Sequence, residues 1–170
     1  MIEEKILFHG SLETIKFPTD DRTTSKSTDF GDGFYLTEIQ QQAEKWAISK
    51  FNKNKNRKGV APVVNVYSLD RGLVITEFKS KYFSKMTQEW LDFIISCRNH
   101  EEHLYDYVEG PMADDKVYSF VADLIEGKIT RSDFWEKAAF KYPTHQVMIR
   151  HDALACLVFV HSYVVEDYGN

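Results

Sequence analysis

Short alternating segments that stop at glycine constrain this chain more than any other feature, because they admit strands but not long ones. Lys5–His9 (KILFH) alternates apolar and polar residues and ends at Gly10-Ser11. Gly33–Thr37 (GFYLT) follows a turn in which Gly31 and Gly33 flank Asp32. Between these two strands, Leu12 to Asp29 is rich in Thr, Ser and Asp and has no periodicity, so it reads as a loop that covers something.

Helical and strand patterns then alternate to the end of the chain. Thr37 and Gln40 have the spacing of a capping box for a helix over EIQQQAEKWAISKF, with Ala43, Trp46, Ala47 and Phe51 on its apolar face. NKNKNRKG breaks that pattern, and PVVNVYSLD and GLVITEF read as two further strands. A helix is expected from about Thr87 to Arg98, with Trp90, Phe93, Ile94 and Cys97 on one face. LYDYVEGP reads as a short strand ended by Gly110-Pro111. Asp114 and Asp115 open a helix to about Glu126, stopped by Gly127, and Thr130 caps a short helix through Phe140. THQVMIR is a strand, and HDALACLVFVHSYVVE is a brief turn or helix leading into a long apolar strand.

This mixture is an α+β pattern without internal repeat or linker, and 170 residues at 43% apolar suffice for one sizeable core, so residues 1–170 are read as a single domain. A net charge of -5 argues against a protein that coats nucleic acid or anionic membrane through its bulk field, and leaves any phosphate contact to a local patch. Cys97 and Cys156 lie inside apolar runs, as reduced thiols of a cytoplasmic protein would. The N-terminus has neither a basic leader nor a long apolar core, and no apolar run approaches the roughly 18 residues of a membrane span. The chain is therefore expected to be soluble, unprocessed and free of membrane contact. The six His and two Cys show no metal-ligand spacing.

The stretch DFGDGFYLT carries the first hint of chemistry. Its glycines let backbone N–H groups approach a ligand, and the aromatic pair after them offers a stacking face, which suits a flat heterocycle. The same residues would also make an ordinary turn. With FHGS (Phe8–Ser11) before it and a polar residue inside THQVMI after it, the set resembles, in order and rough spacing, the ADP-ribosyltransferase superfamily. The branch in question is the diphtheria-toxin-like and PARP-like one, with His-Gly on a first strand, Gly-x-Gly-x-Tyr on a second and usually Glu on a late strand. Together with QQAEKWA, EWLDFI and YDYVEGPMADD, these motifs are similar over nearly the whole chain to a bacterial family assigned to that superfamily, domain-of-unknown-function family 3990.

The resemblance implies an ADP-ribosyltransferase-like split, twisted mixed β-sheet with peripheral helices and NAD+, a co-substrate, held in the cleft between the half-sheets. It implies that His9 bonds the adenosine ribose and that the main chain of Gly10 pairs with the nicotinamide carboxamide. Ser11 and Gly33 join the cofactor-binding set, and Tyr35 stacks on the nicotinamide ring. Gln146 departs from the pattern. A glutamate there would stabilise a cationic transition state by charge, whereas an amide keeps only the hydrogen bond, and losing one preorganised electrostatic contact typically costs on the order of 10² to 10³ in rate. Gln146 thus means slow transfer, a compensating acid nearby, or no catalysis. Strand alternation puts Thr144 and Met148 on the same side as Gln146. No acid stands two positions before Gln146, which speaks against arginine-directed transfer.

Secondary candidates have bland alternatives. Arg22, between the motif strands, could clamp a pyrophosphate or lie solvated in its loop. Asp114 and Asp115 could orient an acceptor nucleophile or act as general base, or merely favour a helix N-terminus, and Arg98 could pair with one of them. Lys50, Lys53, Lys55, Arg57 and Lys58 have no acid between them and could guide a nucleic-acid acceptor or form a solvated loop. The resulting expectation is a bacterial cytoplasmic enzyme that cleaves NAD+ and passes ADP-ribose to a protein or nucleic-acid acceptor. Family members resemble one another in lying beside a small partner gene, which implies a toxin with a cognate antitoxin protein. NAD+ hydrolysis and a catalytically silent NAD-binding or partner-binding module are the alternatives.

Overall fold

Alternation and glycine breaks produce seven strands in two sheets among the described residues. The computed structural model describes residues 3–20, 28–113, 115–139 and 144–166. β1 (Glu4–Ser11), β3 (Val63–Asp70) and β7 (Leu157–Val164) form an antiparallel sheet in the order β1-β3-β7. β2 (Phe34–Leu36), β6 (Gln146–Ile149), β5 (Tyr107–Gly110) and β4 (Ser80–Tyr82) form the second sheet in the order β2-β6-β5-β4, in which only the β4–β5 pair is parallel. One bridge joins the sheets: the amide and carbonyl of Phe8 exchange hydrogen bonds of 2.8 and 2.9 Å with Thr37. The fold is α+β with split sheets.

Three apolar clusters hold the layers. Leu7, Leu36, Tyr67, Val147 and Ile149 are fully buried between the two sheets. On the other face of the second sheet, Met148 and Val108 pack with Phe30 against α3 (Gln88–Arg98), α4 (Asp115–Ile125) and α5 (Arg131–Ala138) through Trp90, Ile94, Val121 and Phe134. A smaller cluster seats Ala43 and Ala47 of α1 (Gln40–Lys53) on Val64 and Val66 of β3. Cys97 and Cys156 are free thiols, and burial pushes Cys97 up to about 12. No helix among the described residues is long and apolar enough to cross a membrane.

Two expectations from the sequence are corrected. GLVITEF is not a strand: Arg71–Glu77 is the helix α2, because Asp70 ends β3 and its carboxylate accepts from the Leu73 amide at 3.0 Å. That cap overrides the β preference of Val74, Ile75 and Thr76. Thr37 and Gln40 form no capping box. Thr37 is fully buried in the bridge to Phe8 and its hydroxyl accepts from the Ile39 amide, while Gln40 turns to Glu44 and Tyr163. Ile39 is the N-cap residue and makes no side-chain cap. The three-residue β4 carried no sequence signal. Thr130 does cap α5, in a capping box with Asp133, and α5 ends at Ala138; Phe140 lies outside the described residues.

A buried ion network pins the sheets to one another. Glu109 of β5, 2% exposed, accepts from Arg71 (2.7 Å), Tyr107 (2.7 Å), Lys5 (3.1 Å) and His145 Nε2 (3.2 Å). Burial alone would raise its pKa, but these four donors outweigh it and hold the carboxyl far below the usual carboxylate range. Because the folded-state pKa is depressed, the stabilisation is present above the unfolded value of about 4.3 and is lost as pH falls below it. The melting temperature of the wild type should accordingly drop more steeply on acidification below about pH 4.3 than that of Glu109→Gln. Parallel curves would mean that Glu109 is not what acid unfolds.

Candidate functional site

His9 and Gly10 lie where β1 and β2 part. His9 follows Phe8, so its side chain turns to the inner face with Leu7 and stacks on Phe34 at 4.2 Å. Its Nδ1–H donates to the Tyr35 carbonyl at 2.6 Å, and Nε2 forms no hydrogen bond among the described residues. Burial, with the nearby Lys50 ammonium, pushes the imidazole down to about 3 against the opposing pull of that carbonyl. The ring is neutral, with Nε2 as an acceptor.

Gly10 owes its missing side chain to helix packing. A Cβ there would stand 2.3 Å from the Ala43 carbonyl and 2.7 Å from the Ala47 amide, so glycine is what lets α1 lie directly on β1. Hydrogen bonding alternates along a strand, so the peptide groups of Gly10 point the same way as those of Phe8, to the edge where β2 has diverged. There the Gly10 carbonyl accepts from Lys50 Nζ at 2.6 Å. Gly10→Ala is expected to destabilise the fold by about 1–3 kcal/mol through overpacking, read as a lowered urea midpoint. An unchanged midpoint would mean that α1 can slide away. Ser11 ends β1, buried, opposite Val63.

Tyr35 and Gln146 occupy the opposite face of the second sheet from the His9 ring. Tyr35 lies opposite Met148 and its hydroxyl closes the preceding turn, donating to the Gly31 carbonyl at 2.5 Å and accepting from the Phe30 amide at 3.1 Å. Gly33 is bare because Met148 Sδ lies 2.3 Å from where its Cβ would be. Gln146 opens β6 at 3% exposure, and its Nε2 reaches Asp29 Oδ2 at 3.4 Å. That contact identifies the nitrogen end of the amide and leaves Oε1 directed away from Asp29 as an acceptor. Continuing the β2–β6 register by one residue sets Gln146 beside Thr37, the residue that bridges to Phe8. Gln146 is therefore one strand away from the seam.

Asp29 is the functional candidate that sequence reasoning missed. It is 7% exposed, its Oδ1 accepts from Arg98 Nε (2.9 Å) and Nη2 (2.5 Å), and its Oδ2 accepts from the Ala113 amide (3.0 Å) as well as from Gln146. Arg98 pairs with Asp29 and lies 3.9 Å over the Tyr118 ring; the side chains of Asp114 and Asp115, its other candidate partners, lie outside the described residues. The acid sits at the start of the glycine motif, and the one available signal was a carboxylate leading a buried turn. Lys50, on the exposed end of α1, was noted only as part of a charged run. Arg22 and Asp114 lie outside the described residues; Asp115 begins α4.

Two other polar groupings do not include the motif residues. Glu38, Glu109 and His145 bring potential ligand atoms within 4.8 Å, but the Lys5 ammonium bonds both carboxylates and already fills the place of a cation. A cavity of about 560 Å³ opens beside the Thr28–Gly31 turn, bordered by His100, His103, Arg150 and His151. Neither His9, Tyr35 nor Gln146 lines it.

Residues 5–159 match the family described as "Protein of unknown function (DUF3990)", and the chain belongs to that family. No curated protein and no solved structure matches the chain.

Proposed function

We propose that this member of the DUF3990 family is an ADP-ribosyltransferase that takes NAD+ as co-substrate at the seam between its sheets and passes ADP-ribose to a macromolecular acceptor, as a bacterial toxin restrained by a small cognate antitoxin. The observation that carries this reading is the hydrogen bond from His9 Nδ1 to the Tyr35 carbonyl at 2.6 Å, which ties the two motif strands together and fixes a neutral imidazole with its Nε2 as acceptor. The bound dinucleotide supplies a glycosidic bond whose nicotinamide can leave with the bonding pair. His9 Nε2 accepts from a ribose hydroxyl, and the ring of Tyr35 flanks the base. Gln146 Oε1 accepts from the ribose beside the breaking bond, held in that orientation by Asp29. The compensating acid that an amide at this position calls for is thus Asp29, acting through Gln146 as a positioning residue, with its charge shared by Arg98.

A second reading, a silent NAD-binding or partner-binding module, draws on Gly10. Its carbonyl, which the resemblance assigns to the carboxamide, is taken by Lys50. Nicotinamide release measured with and without cell extract separates the readings. Release only with extract means transfer, release without it means hydrolysis, and none means a module.

A further inference from the structure

The charge of this chain is segregated. Residues 45–58 hold six cations, Lys45, Lys50, Lys53, Lys55, Arg57 and Lys58, and no acid, so the remainder carries a net -11 against -5 for the whole chain. None of the six makes an ion pair among the described residues, and all are exposed. Elsewhere, Lys5, Arg71, Lys81, Arg98, Lys128 and Arg131 each have a carboxylate partner, and the cations without one among the described residues, such as Lys16, Lys79 and Lys137, are scattered rather than in a run. The helix dipole accounts for Lys50 and Lys53, which lie in the last turn of α1. It does not account for Lys55, Arg57 and Lys58, which lie beyond the helix.

The position of this run is as specific as its charge. Lys50 reaches back to the Gly10 carbonyl at 2.6 Å, and the chain after the run returns past the exit of β1, where the Ala61 amide donates to the Leu12 carbonyl at 3.5 Å. The cations therefore border the end of the seam that His9, Gly10 and Ser11 occupy. On a chain of net negative charge, an unpaired cationic strip beside a reaction site is complementary to a polyanion.

We propose that the acceptor is a single-stranded nucleic acid whose phosphates lie along Lys53, Lys55, Arg57 and Lys58, presenting its reacting nucleotide at the seam beside Lys50. This rests on the ADP-ribosyltransferase reading. An unpaired strand is required because a base stacked in a duplex cannot bring its edge to the ribose of a dinucleotide held between two sheets. A nucleophilic nitrogen or hydroxyl of the nucleotide bonds to the ribose C1′ as the bond to nicotinamide breaks. Nicotinamide departs with the electron pair, and the proton of the nucleophile passes to solvent.

The test uses the full chain, a short fluorescein-labelled RNA and its DNA equivalent, and the variant K53A/K55A/R57A/K58A, which alters exposed side chains only. Fluorescence anisotropy without NAD+ should show wild-type binding that weakens from about 50 to 200 mM salt, and the slope of log K against log salt should flatten in the variant by roughly 0.7 for each phosphate that is no longer neutralised. NAD+ binding by calorimetry should be the same in both proteins. Equal oligonucleotide binding by wild type and variant overturns the proposal, as does a preference for polyglutamate over the oligonucleotide. Label from NAD+ that enters protein but not nucleic acid in cell extract overturns it too, while leaving transfer itself standing. Absence of NAD+ binding removes the transferase reading instead, and with it the acceptor role of the strip.

Discussion

Gln146→Ala is expected to lower nicotinamide release by about two orders of magnitude or more, because the missing hydrogen bond acts chiefly in the transition state. The Michaelis constant for NAD+ should change far less. Gln146→Glu separates charge from geometry. In isolation a carboxylate would accept the same hydrogen bond and favour a cationic transition state. Here Gln146 Nε2 is 3.4 Å from Asp29 Oδ2 and both side chains are buried, so glutamate sets two carboxylates against each other. The pair must share a proton, and the raised pKa makes the variant approach wild-type stability in acid and lose it as pH rises. Wild-type activity in Gln146→Ala, or a Gln146→Glu variant whose stability ignores pH, would remove Gln146 from the site and Asp29 from its side.

Asp29→Asn should cost about 3–5 kcal/mol of stability, the usual penalty for breaking a buried ion pair by removing one partner. The Arg98 guanidinium would keep its bond to the Tyr118 carbonyl (3.0 Å) and its place over the Tyr118 ring, but both hydrogen bonds to Asp29 Oδ1 would lose their charge. Urea unfolding of Asp29→Asn, Arg98→Gln and the double variant measures this directly. The double variant should lose less than the two single losses combined, since no charge is then left buried alone. Strict additivity would show that the two side chains do not act as a pair.

Much of this architecture was legible wherever a local rule acts alone. The alternation in KILFH, the apolar run in THQVMIR, the Thr130 cap and the apolar face of α3 needed only a few neighbouring residues to declare themselves. Reading failed where one local signal overrode another, or where a distant partner decided. GLVITEF has strand composition, yet an aspartate at its head and the end of β3 turn it into α2. Thr37 has capping spacing, yet Phe8 claims its backbone. Within the site, His9, Gly10, Tyr35 and Gln146 could be singled out as a pattern, but the bare backbone of DFGDGFYLT has a reason the pattern hid. Gly33 makes room for Met148, as Gly10 does for α1. The Asp29–Arg98 pair joins residues 69 positions apart and leaves no periodic trace.

The partners of Asp29 also set an order of events. Its carboxylate is satisfied by groups at positions 98, 113 and 146, so Asp29, at the head of the turn before Tyr35, has none of these partners until most of the chain has been synthesised. Contacts so distant along the chain form late, since each must first pay for closing a long loop. A nascent polypeptide that has already made β1, β2 and α1 therefore still lacks a working seam. The surroundings of Asp29 are complete only once β6 has been delivered.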